Sequence, residues 1–97
     1  MEFEWDENKN RENKRKHGVS FQKAAKIFEG RVFRKVDNRF DYGEERISAL
    51  GKADGRVLKV IYTIRGKKIR IISSRKANKN ERQIYYYHMQ FGQSPRR

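Results

Sequence analysis

VLKVIYTIRGKKIRIISS, residues Val57 to Ser74, alternates about a single glycine and reads as a β-hairpin whose pairing decides which side chains share a face. Gly66-Lys67 is a two-residue connection with glycine in the first central place, as a type II′ turn requires. Arg65 then pairs with Lys68, Thr63 with Arg70, Ile61 with Ile72 and Lys59 with Ser74. On the other face Ile64 meets Ile69, Tyr62 meets Ile71 and Val60 meets Ser73. That second set is apolar and belongs against helices, whereas the first is a basic wall of Arg65, Lys68, Arg70 and Lys59 around Ile61 and Ile72.

Upstream, Asp54-Gly55 sets a second hairpin with Ala53 opposite Arg56. Its register places Ile47 and Ala49 with Tyr62 and Val60 on the core face, and Arg46 with Thr63 and Arg70 on the basic one. Two turns placed independently agree. Further strand candidates are 3–5, 32–37, 45–50, 57–65 and 68–74.

Helices flank these strands. Asp6 offers an N-cap for a helix from Glu7 to Lys16 that Gly18 can end, and this helix holds no apolar residue, which predicts a surface position. Ser20 caps a second helix whose Phe21, Ala24, Ala25 and Phe28 fall at core spacing before Gly30 stops it. A third opens at Asn78 with Glu81 at N3, a capping-box pair, and Ile84, Tyr87 and Phe91 form its core stripe. Trp5 reads as a core anchor.

The expected fold class is therefore α+β: two N-terminal helices, an antiparallel sheet of about four strands and a C-terminal helix. With 97 residues there is one core, a single domain over 1–92, with residues 93–97 as a loose basic tail.

A formal charge of +13 makes a polyanion the natural partner, and its placement sharpens the point. Residues 1–54 carry 13 Lys or Arg against 11 Asp or Glu, while residues 55–97 carry 12 against Glu81 alone. Arginines this close repel, and no carboxylate is expected beside Arg65 and Arg70 to relieve them; a phosphodiester would satisfy two or three guanidinium forks at once.

Without cysteine, disulfide frameworks and thiolate zinc sites are excluded, and the two histidines, His17 and His88, stand far apart, so no metal or other cofactor is expected. No apolar run approaches a membrane span and the N-terminus is acidic, so a cytoplasmic protein without membrane contact is expected. RNA cleavage can use the substrate's own 2′-hydroxyl, leaving the protein to align the attack, neutralise the phosphorane and move two protons. Arginines suit the charge. Proton-transfer candidates are His17, Glu81, His88 and Tyr85 to Tyr87, each with a structural alternative: capping for Glu81 and His17, core packing for Tyr87.

WDENKNRENKRKHGVSF (5–21) followed by AAKIF, then YGEERISALG (42–51) and IRIISSRKANKNER (69–82), resemble in order the signature blocks of the BrnT toxins, small ribonucleases with a RelE-like fold from bacterial type II toxin-antitoxin pairs. Departures are small: the family usually has Ala at the position of Ser74, and the chain beyond Tyr87 lies outside the pattern.

The resemblance implies an endoribonuclease that blocks translation and growth, neutralised by a BrnA-like ribbon-helix-helix antitoxin, with promoter DNA bound only through the antitoxin complex. It singles out Lys16 and His17 in the first block and Arg70, Arg75 and Glu81 in the third. With Arg65 from the register, the catalytic candidates are Arg65, Arg70, Arg75, Glu81 and His17; Lys16, Lys59, Lys68 and Arg46 are substrate-binding candidates. Arg75 has the opposite parity to Arg70 and reaches the same face only if the strand ends or bends near Ser74. A non-catalytic RNA-binding module would share the charge and the sheet, and a DNA-binding regulator would share only the charge.

Overall fold

The computed structural model describes residues 1–92. The expected tail at 93–97 lies outside the described residues. In chain order the elements are β1 (Glu2–Glu4), α1 (Glu7–His17), α2 (Phe21–Ala25) running into a 3-10 turn (Lys26–Glu29), β2 (Phe33–Asp37), β3 (Arg46–Ala53), β4 (Arg56–Arg65), β5 (Lys68–Lys76) and α3 (Lys79–Phe91). The class is α+β, as expected.

The sheet corrects the expectation of about four antiparallel strands. It has five, in the order β1-β5-β4-β3-β2, and β1 runs parallel to β5. Phe3 pairs with Ile69 and turns to the core beside Phe28, while Glu2 and Glu4 pair with Lys68 and Arg70 and share their face. The alternation of MEFE thus delivers two carboxylates to the basic wall.

Both hairpins hold at their turns. Asp54 and Gly55 both adopt positive φ, and Gly66 sits at φ 61, the conformations their two-residue turns need. Ala53 faces Arg56, Ala49 faces Val60, Ile47 faces Tyr62, and Arg65 faces Lys68. Beyond Tyr62–Ile71, however, the next pair is Ile61–Ser73, so Ile72 is an extra residue in β5. This β-bulge shifts the register by one: Val60 pairs with Ser74, and Lys59 with Arg75 rather than with Ser74. Parity inverts after Ile72, and Arg75 joins the face of Lys59.

One sheet face packs on α1, α2 and the 3-10 turn. Its core gathers Phe21, Ala24, Ile27, Val60, Tyr62 and Ile71, with Trp5 packed at the margin as an anchor. The helix begun at Ser20 is α-helical only to Ala25, and the three-residue repeat of the following 3-10 turn places Ile27 directly after Ala24 on the core side. Gly51 makes room for it: a Cβ there would lie 2.8 Å from that of Ile27.

The all-polar α1 is docked by asparagines. β1 ends at Glu4, so the outer edge of β5 is unpaired beyond Arg70, and the side-chain amide of Asn13 takes the place of a strand there. Its Nδ2 donates to the Ser74 carbonyl at 2.7 Å and to the Val19 carbonyl at 2.9 Å, and its Oδ1 accepts from the Ser74 N–H at 3.2 Å. Asn10 does similar work one turn earlier, accepting from the Phe21 N–H at 2.8 Å. Both are buried, so the helix is held to the core without apolar side chains of its own.

α3 covers part of the opposite sheet face. Its packing stripe is Ile84, Tyr85 and Met89 against Phe33, Leu50 and Val57, whereas Tyr87 and Phe91, expected in the stripe, are exposed.

Candidate active site

Where α3 leaves the sheet uncovered, a groove of about 550 Å³ opens between its N-terminal half and strands β2 to β4. Asn80, Glu81, Ile84 and His88 come from α3, with Phe33 and Lys35 from β2, Ser48 and Leu50 from β3, and Lys59 from β4. Positions 80, 84 and 88 recur at i, i+4 and i+8, so the helix presents them along one line.

Glu81 organises one wall. It closes the capping box, its Oε1 accepting from the Asn78 N–H at 2.9 Å. The same carboxylate takes two parallel bonds from Arg75, Nη1 to Oε1 and Nη2 to Oε2, both 2.8 Å, and Lys59 Nζ lies 3.6 Å from Oε2. Arg75 hydrogen bonding, with the Asn78 N–H and the charges of Arg75 and Lys59 behind it, holds the Glu81 carboxyl at about 2 against the opposing effect of burial. Glu81 is thus fully ionised near neutrality and a weak base; Arg75 is correspondingly raised by Glu81.

The imidazole of His88 lies flat on Phe33, with ring centroids 3.9 Å apart and 13° between planes. Among the described residues neither of its nitrogens takes part in an internal hydrogen bond. His88 stood among the proton-transfer candidates but outside the nine site residues; its spacing from Glu81, seven residues along the helix, was the available signal.

The other sequence-derived residues form a second cluster further along the same face. Arg46, Arg65 and Arg70 line a small pocket of about 110 Å³ with Asp6, Lys9 and Glu44. The wall is not bare, contrary to expectation. Arg70 donates to Glu4 Oε2 at 3.2 Å, and Glu44 bridges Arg46 at 3.4 Å and Arg65 at 3.5 Å. Lys68 stands 4.0 Å from both Glu2 and Glu4. The guanidinium of Arg46 also rests on the Tyr42 ring, 4.0 Å from its centroid.

The structure therefore splits the nine residues. Lys59 and Glu81 line the groove, Arg75 pairs with Glu81 without lining it, and Arg46, Arg65, Lys68 and Arg70 gather at the wall. Lys16 and His17 are exposed in the last turn of α1, line neither pocket, and their side chains make no hydrogen bond or ion pair among the described residues. From Lys59 to Arg65 along β4 is roughly 20 Å at strand rise, and Ile61 and Thr63, both buried, lie between them on the same side of the sheet.

No group of three or more His, Asp or Glu side chains suited to a metal ion occurs among the described residues. Among those residues, no helix is long and apolar enough to cross a membrane.

The model of a protein family described as "Ribonuclease toxin, BrnT, of type II toxin-antitoxin system" matches residues 5–81. No curated protein matches the chain.

Proposed function

Since the chain belongs to the BrnT family of type II toxin-antitoxin ribonucleases, we propose that it is a metal-independent endoribonuclease whose chemistry takes place in the groove under α3. The observation that carries this reading is that Glu81 and Lys59 line the groove together with the His88 imidazole, and Glu81 is gripped there by the Arg75 fork.

A single RNA strand would lie along the face, its scissile phosphate in the groove and its neighbours toward Arg70, Arg46 and Arg65, with Lys68 at the far end. The 2′-oxygen attacks phosphorus as the bond to the 5′-oxygen breaks; the 2′-proton leaves and the departing oxygen gains one. Arg75 and Lys59 neutralise the charge that builds on the non-bridging oxygens. Glu81 keeps Arg75 in place and spends its basicity doing so, which makes it a positioning residue. Arg75 keeps its Nε–H for substrate, because both bonds to Glu81 come from its Nη groups. His88 is placed to carry a proton, in preference to His17 on the far turn of α1. The support for a reaction without metal is the donor chemistry: the groove gathers guanidinium, ammonium and imidazole groups, and Glu81 is already committed to arginine.

Cleavage of cellular RNA by this route would stop translation and growth. The family implies a protein antitoxin, and we take it to be a BrnA-like ribbon-helix-helix protein that binds promoter DNA while an acidic segment covers the wall at Arg65, Lys68 and Arg70.

The test is digestion of a synthetic RNA with and without EDTA, followed by analysis of the ends. Cutting should persist in EDTA, leave a 2′,3′-cyclic or 3′-phosphate with a 5′-hydroxyl, and stop when the nucleotide 5′ to the cut carries 2′-O-methyl. Strict dependence on Mg²⁺, or 5′-phosphate ends, would refute it.

A further inference from the structure

Opposite α3, the far rim of the groove holds a second carboxylate–arginine fork that nothing in the sequence reading assigned. Asp37, at the end of β2, is a buried carboxylate, its side chain only 4% exposed, and it accepts from Arg39 Nε at 2.8 Å and Nη2 at 3.0 Å. Tyr42 adds its hydroxyl to Asp37 Oδ2 at 3.4 Å. A carboxylate that merely stapled the loop would be served as well by a buried cation. Here the anion is inside and the cation outside: the Arg39 side chain is 61% exposed and lines the groove with Lys59, Glu81 and His88.

Bidentate attachment through Nε and Nη2 fixes the plane of the Arg39 guanidinium and leaves Nη1 with both its hydrogens free of protein partners among the described residues. The Arg75 guanidinium is close enough to feel it. Glu81 raises Arg75, and the charge of Arg39 acts in the opposite direction. Asp37 and Glu81 both line the groove, and each holds one guanidinium, Arg39 lining the groove itself and Arg75 paired to Glu81. A polyanion relieves this repulsion with one phosphate for each arginine, since a guanidinium presents a planar set of donors to a phosphodiester.

We propose that Arg39, held by the buried Asp37, is a second phosphate-binding residue of the site, gripping the phosphate next to the one that Arg75 addresses. The inference rests on the reading that RNA is cut in this groove. Arg39 then acts in binding more than in bond breaking, and Asp37 is its positioning residue.

Steady-state cleavage of a short RNA and salt-dependent binding of its uncleavable 2′-O-methyl form test this together, with Arg39→Ala, Arg39→Lys, Arg75→Ala and the exposed Arg56→Ala as control. Losing one charge-assisted phosphate contact should raise KM about tenfold or more, with kcat changed less than about threefold. The slope of log affinity against log salt should fall by about 0.7, the value for one contact on a single strand. Arg39→Lys should keep the slope, as it keeps the charge, while losing part of the affinity. Arg39→Ala leaves the buried Asp37 unpaired, so Asp37→Asn/Arg39→Ala, which removes both charges, carries the same expectation should the single variant fold poorly. Unchanged KM and slope in the Arg39 variants, alongside an inactive Arg75→Ala, overturn the proposal for Arg39 alone. Wild-type rates in Arg75→Ala overturn the groove as the site and the role of Arg39 with it.

Discussion

Replacing Glu81 with glutamine separates the two tasks of that residue. Glutamine can still accept from the Asn78 N–H, so the capping box survives, but Arg75 loses its carboxylate. A carboxyl held at about 2 in the folded protein rather than 4.5, chiefly by the Arg75 hydrogen bonds, contributes about 3 kcal/mol at pH 7. Because the folded value lies below the unfolded one, this stability is complete above about pH 5 and drains as pH falls through 4.5 toward 2, with about half left at pH 3. In a domain of this size ~1 kcal/mol moves Tm by ~4–8 °C, so Glu81→Gln should melt roughly 10–20 °C lower at pH 7 and much nearer the wild type at pH 3. Thermal unfolding followed by circular dichroism at pH 7, 4 and 3 measures both. A deficit under about 3 °C at pH 7, or one as large at pH 3 as at pH 7, would show that the pair does not hold the site as argued.

Two other outcomes follow from contacts of different kinds. Asn13→Ala should cost about 2–4 kcal/mol in urea unfolding, because the Ser74 N–H and C=O lose their only stand-in for a strand; a loss below about 1 kcal/mol would mean α1 is held by something else. Glu4→Gln frees Arg70 from its partner at 3.2 Å and should strengthen binding of an uncleavable RNA severalfold at low salt, the gain shrinking as salt rises; weaker binding would mean that Glu4 orients Arg70 rather than competing for it.

Much of the fold was legible because its signals are local. Ser20, Asn78 and the two glycine turns name their own positions, and the register at Arg65–Lys68 and Ala53–Arg56 follows from turn geometry. What escaped was set by neighbours distant in sequence. The bulge at Ile72 is not signalled by Ile71-Ile72-Ser73 alone, yet it decides where Arg75 points. The docking of α1 depends on Asn13 meeting Ser74, 61 residues away, and hydrophobic periodicity cannot register a helix anchored by amides. The carboxylates at the wall were hidden in the same way, since Glu4 reaches Arg70 only because β1 adds to the sheet edge in parallel. Arg39 lies in the loop after β2, where its pairing with Asp37 two residues earlier cannot be told in the sequence from simple charge mixing.

The net positive charge of the C-terminal half is therefore a poor description of the surface, because its site arginines are paired and the pairs are of two sorts. Asp37 and Glu81 are 4% and 16% exposed, and each grips its arginine through two bonds of 2.8 to 3.0 Å. Such a carboxylate is too enclosed to be displaced, so it orients the guanidinium, a cost met in folding rather than in binding. Glu4 and Glu44 are 29% and 28% exposed, and they hold Arg70, Arg46 and Arg65 through one contact each, of 3.2 to 3.5 Å. A phosphate arriving at the wall competes with these carboxylates for the same donors, which weakens general affinity for polyanions there while leaving the groove prepared. Removing a carboxylate should accordingly have opposite effects at the two places: at the groove it loosens the site, and at the wall it opens it.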